Sequence, residues 1–125
     1  MKISQEKLGA IARAELDATV AALPPALRAH VESIPISFQS RPSAIQQRDG
    51  IEPDTLGLFG GADLVFERDN ASPLPPQIIL FLENIWEESE ADDEIFRTEV
   101  RTTFLHELGH YLGLNEDDLF ERGLE

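Results

Sequence analysis

Apolar residues recur at helical spacing in the first quarter of the chain. Over residues 4–23 they fall every three or four positions, which predicts an amphipathic helix with Ser4 as its N-cap: Leu8, Ile11, Ala12, Leu16, Val20 and Leu23. Pro24 and Pro25 must end this helix, and Pro25 suits the first turn of a second, short helix that runs through Val31. We expect both helices to cover a sheet.

The middle of the chain alternates or clusters its apolar residues in short runs typical of strands. Residues 34–38 alternate, but Pro35 cannot donate a ladder hydrogen bond, so this segment should be an edge strand or a strand start. Residues 39–53 are polar and predict a loop. Residues 56–61 contain three glycines and predict a bent strand or turn, and residues 63–67 a further short strand. Residues 77–85 form the most apolar run, which predicts a strand buried on both faces.

The last third combines an acidic stretch with a long helical pattern. Residues 83–94 are rich in Asp and Glu and predict a solvated loop; the spacing of a calcium loop is missing. Asp92 or Asp93 can cap the next helix, predicted over 93–112. Its apolar residues form one stripe, with His106 and His110 together on the flank: Phe96, Val100, Phe104, Leu108 and Tyr111. Gly113 can end that helix.

Composition narrows the function classes. The 125 residues are expected to form one domain, 1–125, with a net charge of −14, which disfavours binding to nucleic acid or to anionic membranes. No apolar run reaches the ~18 residues of a membrane helix, and the N-terminus does not resemble a signal peptide, so a cytoplasmic location is expected. The charge alone would also fit an acidic mimic of nucleic acid. Because the chain has no cysteine, a metal site would use His and carboxylate ligands.

The predicted C-terminal helix carries the motif H-E-x-x-H-x-x-G-x-x-E. His106 and His110, four residues apart, lie one above the other on a helix and can converge on one divalent metal, which we expect to be zinc. Glu107 lies beside them and can accept a proton from water on the metal. Gly113 allows a sharp turn, after which Glu116 is the first candidate for a third ligand and Asp118 the second.

This segment resembles the zincin metallopeptidases. It is similar to a family of small bacterial proteins with a minimal, matrix-metalloprotease-like domain and the pattern H-E-x-x-H-x-x-G-x-x-E-x-D-L, which residues 106–119 match at every fixed position. The resemblance implies an α+β fold: a small twisted mixed sheet, packed on N-terminal helices and a long C-terminal active-site helix, with an edge strand above the metal cleft. It also implies zinc ligands at His106, His110 and Glu116, with Glu107 as general base.

Some residues depart from the zincin pattern. Metzincins have a methionine turn beneath the metal, whereas the only methionine here is Met1. Tyr111 belongs to the apolar stripe, so an oxyanion-stabilising Tyr is missing; Arg41 or Arg48 could serve, and the sequence selects neither. The first hypothesis is a zinc peptidase acting on an extended peptide or protein substrate. The alternative is a non-catalytic metal-binding module, which has no need of a base at Glu107.

Overall fold

A computed structural model describes residues 3–60 and 77–112. Within these ranges the chain forms five helices and three strands. In chain order they are α1 Gln5–Ala21, α2 Pro25–Glu32, β1 Ile36–Gln39, α3 Ala44–Arg48, β2 Gly57–Gly60, β3 Gln77–Phe81, α4 Leu82–Glu88 and α5 Asp93–Tyr111. This is the mixed α/β architecture with a small sheet and a long late helix that the sequence predicts.

Helix boundaries follow the capping residues in the sequence. The Lys7 amide donates to Ser4 Oγ at 3.1 Å at the start of α1, and the Ile95 amide donates to Asp92 Oδ1 at 2.9 Å at the start of α5. Each bond satisfies an amide that the first helical turn leaves without a backbone partner. Pro25 occupies the first position of α2. The predicted starts of these three helices are therefore confirmed.

The three strands form a mixed sheet in the order β1-β3-β2. β3 pairs in parallel with β1 and antiparallel with β2, so that Phe38 and Gly57 flank Leu80 from opposite sides. Among the described strands β1 lies at an edge, one of the two positions that Pro35 predicts. Pro35 itself lies just before the strand, and its carbonyl accepts a hydrogen bond from the Ile78 amide at 3.0 Å. Position 57 lies on β2, which confirms the strand interpretation of the glycine-rich segment.

Two segments differ from the sequence prediction. The strand expected over 77–85 ends at Phe81, and the acidic loop expected from 83 begins instead as helix α4. Leu82 and Ile85 are fully buried at helical spacing, whereas Glu87 is exposed. A short apolar run does not distinguish a strand from a buried helix, and here it contains both.

The predicted loop 39–53 also contains a short helix, α3. Ser43 and Gln46 form a capping box, in which the Gln46 amide donates to Ser43 Oγ at 3.1 Å and the Ser43 amide donates to Gln46 Oε1 at 2.8 Å. The strand predicted over 63–67 and the helix end predicted at Gly113 lie outside the described residues.

Helix α5 packs against β2, β3, α1 and α4. The predicted apolar stripe of α5 is buried. The stripe shares the core with apolar side chains of α1, β3 and α4: Leu8, Leu16, Ile78, Leu80, Leu82 and Ile85. Phe96 also meets Trp86 edge to face, with ring centroids 5.5 Å apart. Burying each large apolar side chain contributes about 1.5–3 kcal/mol, so the rotation of α5 about its axis is fixed. In the described ranges, every helix is too short or too polar to cross a membrane.

Candidate metal centre

The last two turns of α5 bring three potential metal ligands together. Ligand atoms of His106, Glu107 and His110 all lie within 4.8 Å of one another. The two histidine Nε2 atoms are 3.0 Å apart, and the rings are steeply inclined, at 82°. Two nitrogens bound to a tetrahedral zinc at about 2.0–2.1 Å lie about 3.3 Å apart. The imidazole pair therefore fits a zinc ion with a small adjustment, while at 3.0 Å it equally allows one ring to donate a hydrogen bond to the other.

Burial differs sharply among these three side chains. His110 is exposed and His106 is half-buried, whereas Glu107 is only 9% exposed. Its position one residue after His106 turns Glu107 by about 100° around the helix, towards strand β2. The centre is therefore open to solvent beside His110 and covered by the sheet beside Glu107.

Strand β2 approaches Glu107 at a residue without a side chain. A Cβ atom on Gly57 would lie 3.3 Å from Glu107 Cγ. Because contacts of that length are tighter than ordinary van der Waals contacts, even one methyl group here would press on the glutamate. Gly57 thus lets the strand backbone lie closer to the stem of the proposed base than any other residue would allow.

A cleft of about 270 Å³ lies between this strand and the helix. Strand-side residues form one wall and helix residues the other, reaching from the motif towards the N-terminus of α5: Leu56, Gly57, Glu99, Thr102, Thr103, His106 and Glu107. In the described sheet β2 pairs only with β3. The cleft therefore joins a sheet edge to the proposed metal centre.

A comparison with family models agrees with this geometry. A model described as "zincin-like metallopeptidase" matches residues 31–124, three quarters of the chain. The chain belongs to the zincin-like metallopeptidase family. The resemblance inferred from the motif is thereby confirmed, and the family implies zinc and a peptide substrate in general terms. No curated protein sequence matches the chain.

The zincin-like match includes both sides of the cleft, but the proposed third ligand is not described. Glu116 and its alternative Asp118 lie outside the described residues, so the choice between them stays a prediction. His30, on helix α2, is exposed and is not part of the group of potential ligands found among residues 3–60 and 77–112.

Neither arginine considered for the oxyanion role lines the zincin-like cleft. Arg41 donates from Nη1 to Asn84 Oδ1 at 2.8 Å and also pairs with Glu83 and Glu87. Its hydrogen bond with Glu87 raises the pKa of Arg41. Arg48 ends helix α3.

Three residues near the cleft escaped the sequence analysis. Gly57 lay in a segment predicted only as a bent strand or turn, without a role at the site, and Glu99 was one of many acids. Asn84 lay in a predicted strand but belongs to helix α4. It is 5% exposed, and its side-chain amide donates to the carbonyls of Pro53 and Thr55 at 2.8 and 2.9 Å. These bonds tie α4 to the segment that leads into β2. Each role depends on contacts between distant parts of the chain, which local pattern does not report.

Proposed function

We propose that the chain is a zinc-dependent peptidase that hydrolyses peptide bonds with Glu107 as general base. The observation that carries the proposal is the position of Glu107. Its side chain is buried against strand β2, and its carboxylate lies within 4.8 Å of the ligand atoms of two convergent histidines. A purely structural metal site has no need of a buried carboxylate at this point.

His106 and His110 would hold the zinc, with Glu116 as the proposed third protein ligand. When bound, zinc supplies a Lewis acid that polarises the scissile carbonyl and lowers the pKa of water. Glu107 accepts a proton from the attacking water as its oxygen bonds to the carbonyl carbon. The same carboxyl group then gives that proton to the leaving nitrogen as the C–N bond breaks. Glu107 is thus unchanged at the end of the cycle.

The peptide substrate is proposed to lie extended along β2. An edge strand offers backbone amides and carbonyls to a peptide that adds to the sheet, which aligns the peptide without regard to its side chains. In the described part of the sheet β2 has such an edge, and the close approach of Gly57 to the stem of Glu107 supports a scissile bond beside this strand.

The deciding experiment replaces Glu107 by Gln, which keeps the shape of the side chain but removes its basicity. We expect cleavage of a broad peptide library to fall by at least about 100-fold, while zinc content stays near one per chain. Glu94→Gln, an exposed position on the same helix outside the cleft, is the matched control and should cleave normally. If Glu107→Gln cleaves like the parent, the mechanism is wrong. If the parent binds zinc but cleaves nothing, the non-catalytic metal-binding module is the better account.

A further inference from the structure

Glu99 extends the cleft away from the metal centre along α5. It lies seven residues before His106, two turns and about 10 Å along the helix axis, and therefore on nearly the same face. Thr102 lies between them on that face, and all three residues line the cleft. A substrate side chain that enters from the reacting centre and follows this face would therefore approach Glu99.

The Glu99 carboxylate has no cationic partner among residues 3–60 and 77–112. The two arginines nearest to it in sequence are both engaged by other acids. Arg97 Nε pairs with Asp93 at 3.1 Å, and Arg101 Nη1 pairs with Glu15 on α1 at 3.1 Å. Glu99 itself is half-buried. A carboxylate partly removed from water without a charge partner is stabilised by a cation that brings its own hydrogen-bond donors.

The other walls of the cleft suit the stem of a long basic side chain. Leu56 offers an apolar surface and Thr102 offers a hydroxyl. Lysine and arginine bury their methylene stems against such surfaces while the charged end reaches a polar partner. A volume of about 270 Å³ is small for a whole ligand and suits a single side chain.

We propose that Glu99 determines specificity and that the enzyme selects peptides with lysine or arginine near the scissile bond. This inference rests on the proposed peptidase function. The protein's net charge of −14 also favours the approach of cationic peptides, but that long-range attraction does not depend on one residue. A preference that arises from contact with Glu99 should depend on that residue, because a hydrogen-bonded charge pair changes affinity by about 10- to 100-fold.

The test uses peptides that differ only in one side chain. Arginine is compared with citrulline, which has nearly the same shape but no charge, at each position around an identified cleaved bond. We expect kcat/KM to favour arginine by about 10- to 100-fold at one position and the preference to fall towards one in Glu99→Gln. Glu99→Lys should favour glutamate there. Glu94→Gln should keep the arginine preference, because it removes the same charge from the same helix outside the cleft.

A binding measurement separates this inference from the peptidase proposal. The zinc-loaded Glu107→Gln chain is titrated by calorimetry with degenerate peptide pools that carry either arginine or citrulline at the centre. Tighter binding of the arginine pool, lost on adding Glu99→Gln, supports the role of Glu99 even if no peptide is cleaved. Equal binding of both pools, or an arginine preference that persists without the Glu99 charge, overturns it.

Discussion

Strand β2 approaches helix α5 closely where Gly57 faces Thr103. A Cβ atom on Gly57 would stand 2.6 Å from Thr103 Cγ2, a distance that two carbon atoms do not tolerate. Thr103 lies one helical turn before Glu107, so the same contact sets the height of the strand above the proposed base. The spacing of the cleft therefore depends on the absence of a side chain at one position.

Gly57→Ala should destabilise the fold and disturb the centre. We expect a loss of about 1–3 kcal/mol, because the new methyl group must displace either the strand or the helix. Gly60→Ala is the matched control in the same strand, since among the described residues its Cβ would meet nothing closer than 3.6 Å. Urea unfolding of both variants measures the difference. Equal stability of the two variants would contradict this account of the contact.

The sequence also offers a rescue of this clash. Thr103→Ser removes the Cγ2 atom and keeps the hydroxyl, so it should restore part of the stability lost in Gly57→Ala. The restoration should be partial, because Leu80 and Glu107 still lie 3.3 Å from the new methyl group. A double-mutant cycle with no coupling between positions 57 and 103 would show that the strain is relieved elsewhere.

Helix α5 could be predicted from the sequence because its signals are local and agree. Its apolar stripe has helical periodicity, and Asp92 gives a cap at the start. The boundary between β3 and α4 carried no such signal, because apolar residues run through it without a glycine, a proline or a capping side chain; Phe81 precedes α4 without a capping hydrogen bond. There, packing against α1 and α5 decides the conformation.

Asn84 should contribute to stability through the segment that precedes β2. Asn84→Asp keeps the size of the side chain and the acceptor for Arg41 but removes both donors to the Pro53 and Thr55 carbonyls. We expect a loss of about 2 kcal/mol, because the buried carboxylate would also face two carbonyl oxygens. Thermal unfolding of the metal-free chain measures this loss of stability. Peptide cleavage should decrease more than zinc affinity, because β2 lines the cleft whereas the two histidines lie on α5.

Arg41→Ala tests the other half of the same network. It removes the hydrogen bond to Asn84 Oδ1 and the ion pairs with Glu83 and Glu87, but it leaves the Asn84 donors in place. The Arg41 side chain is 43% exposed, so its ion pairs are screened by solvent and the loss should stay below about 1 kcal/mol. A larger loss than that of Asn84→Asp would mean that Arg41, rather than the carbonyl contacts, holds this segment.

Zinc should stabilise the chain only while both motif histidines are present. At 100 times the dissociation constant, a ligand that binds the folded state alone adds about 2.7 kcal/mol to the free energy of unfolding. His106→Ala and His110→Ala should each abolish most of this gain. The matched control is His30→Ala, at an exposed position of helix α2, which should retain it. Thermal unfolding with and without zinc measures this stabilisation, and metal analysis after dialysis measures the zinc content. If zinc stabilises His106→Ala as much as the parent, the metal does not bind at this site.

The pair of histidines was predictable because a helix fixes side chains four residues apart on one face. The resemblance to zincins also implied an edge strand above the metal cleft. The β2 residues that line the cleft could not be predicted, because they depend on how a strand far away in sequence packs on that helix. The role of Glu99 was not predictable for the same reason. Its charge is visible in the sequence, but its half-burial in the cleft and the engagement of both neighbouring arginines emerge only from the packing of α5 on α1 and β2.

The identity of the third ligand can be tested by paired carboxylate-to-amide changes. Glu116→Gln and Asp118→Asn each remove one negative charge and keep the side-chain size, so their effects on net charge are equal. Since Glu116 is the third ligand we propose, Glu116→Gln should weaken zinc binding at least about 10-fold more than Asp118→Asn, because an amide oxygen is a poorer zinc ligand than a carboxylate. Competition with a chromogenic chelator measures both affinities. The reverse order would assign the metal to Asp118, and equal small effects would mean that neither carboxylate binds it.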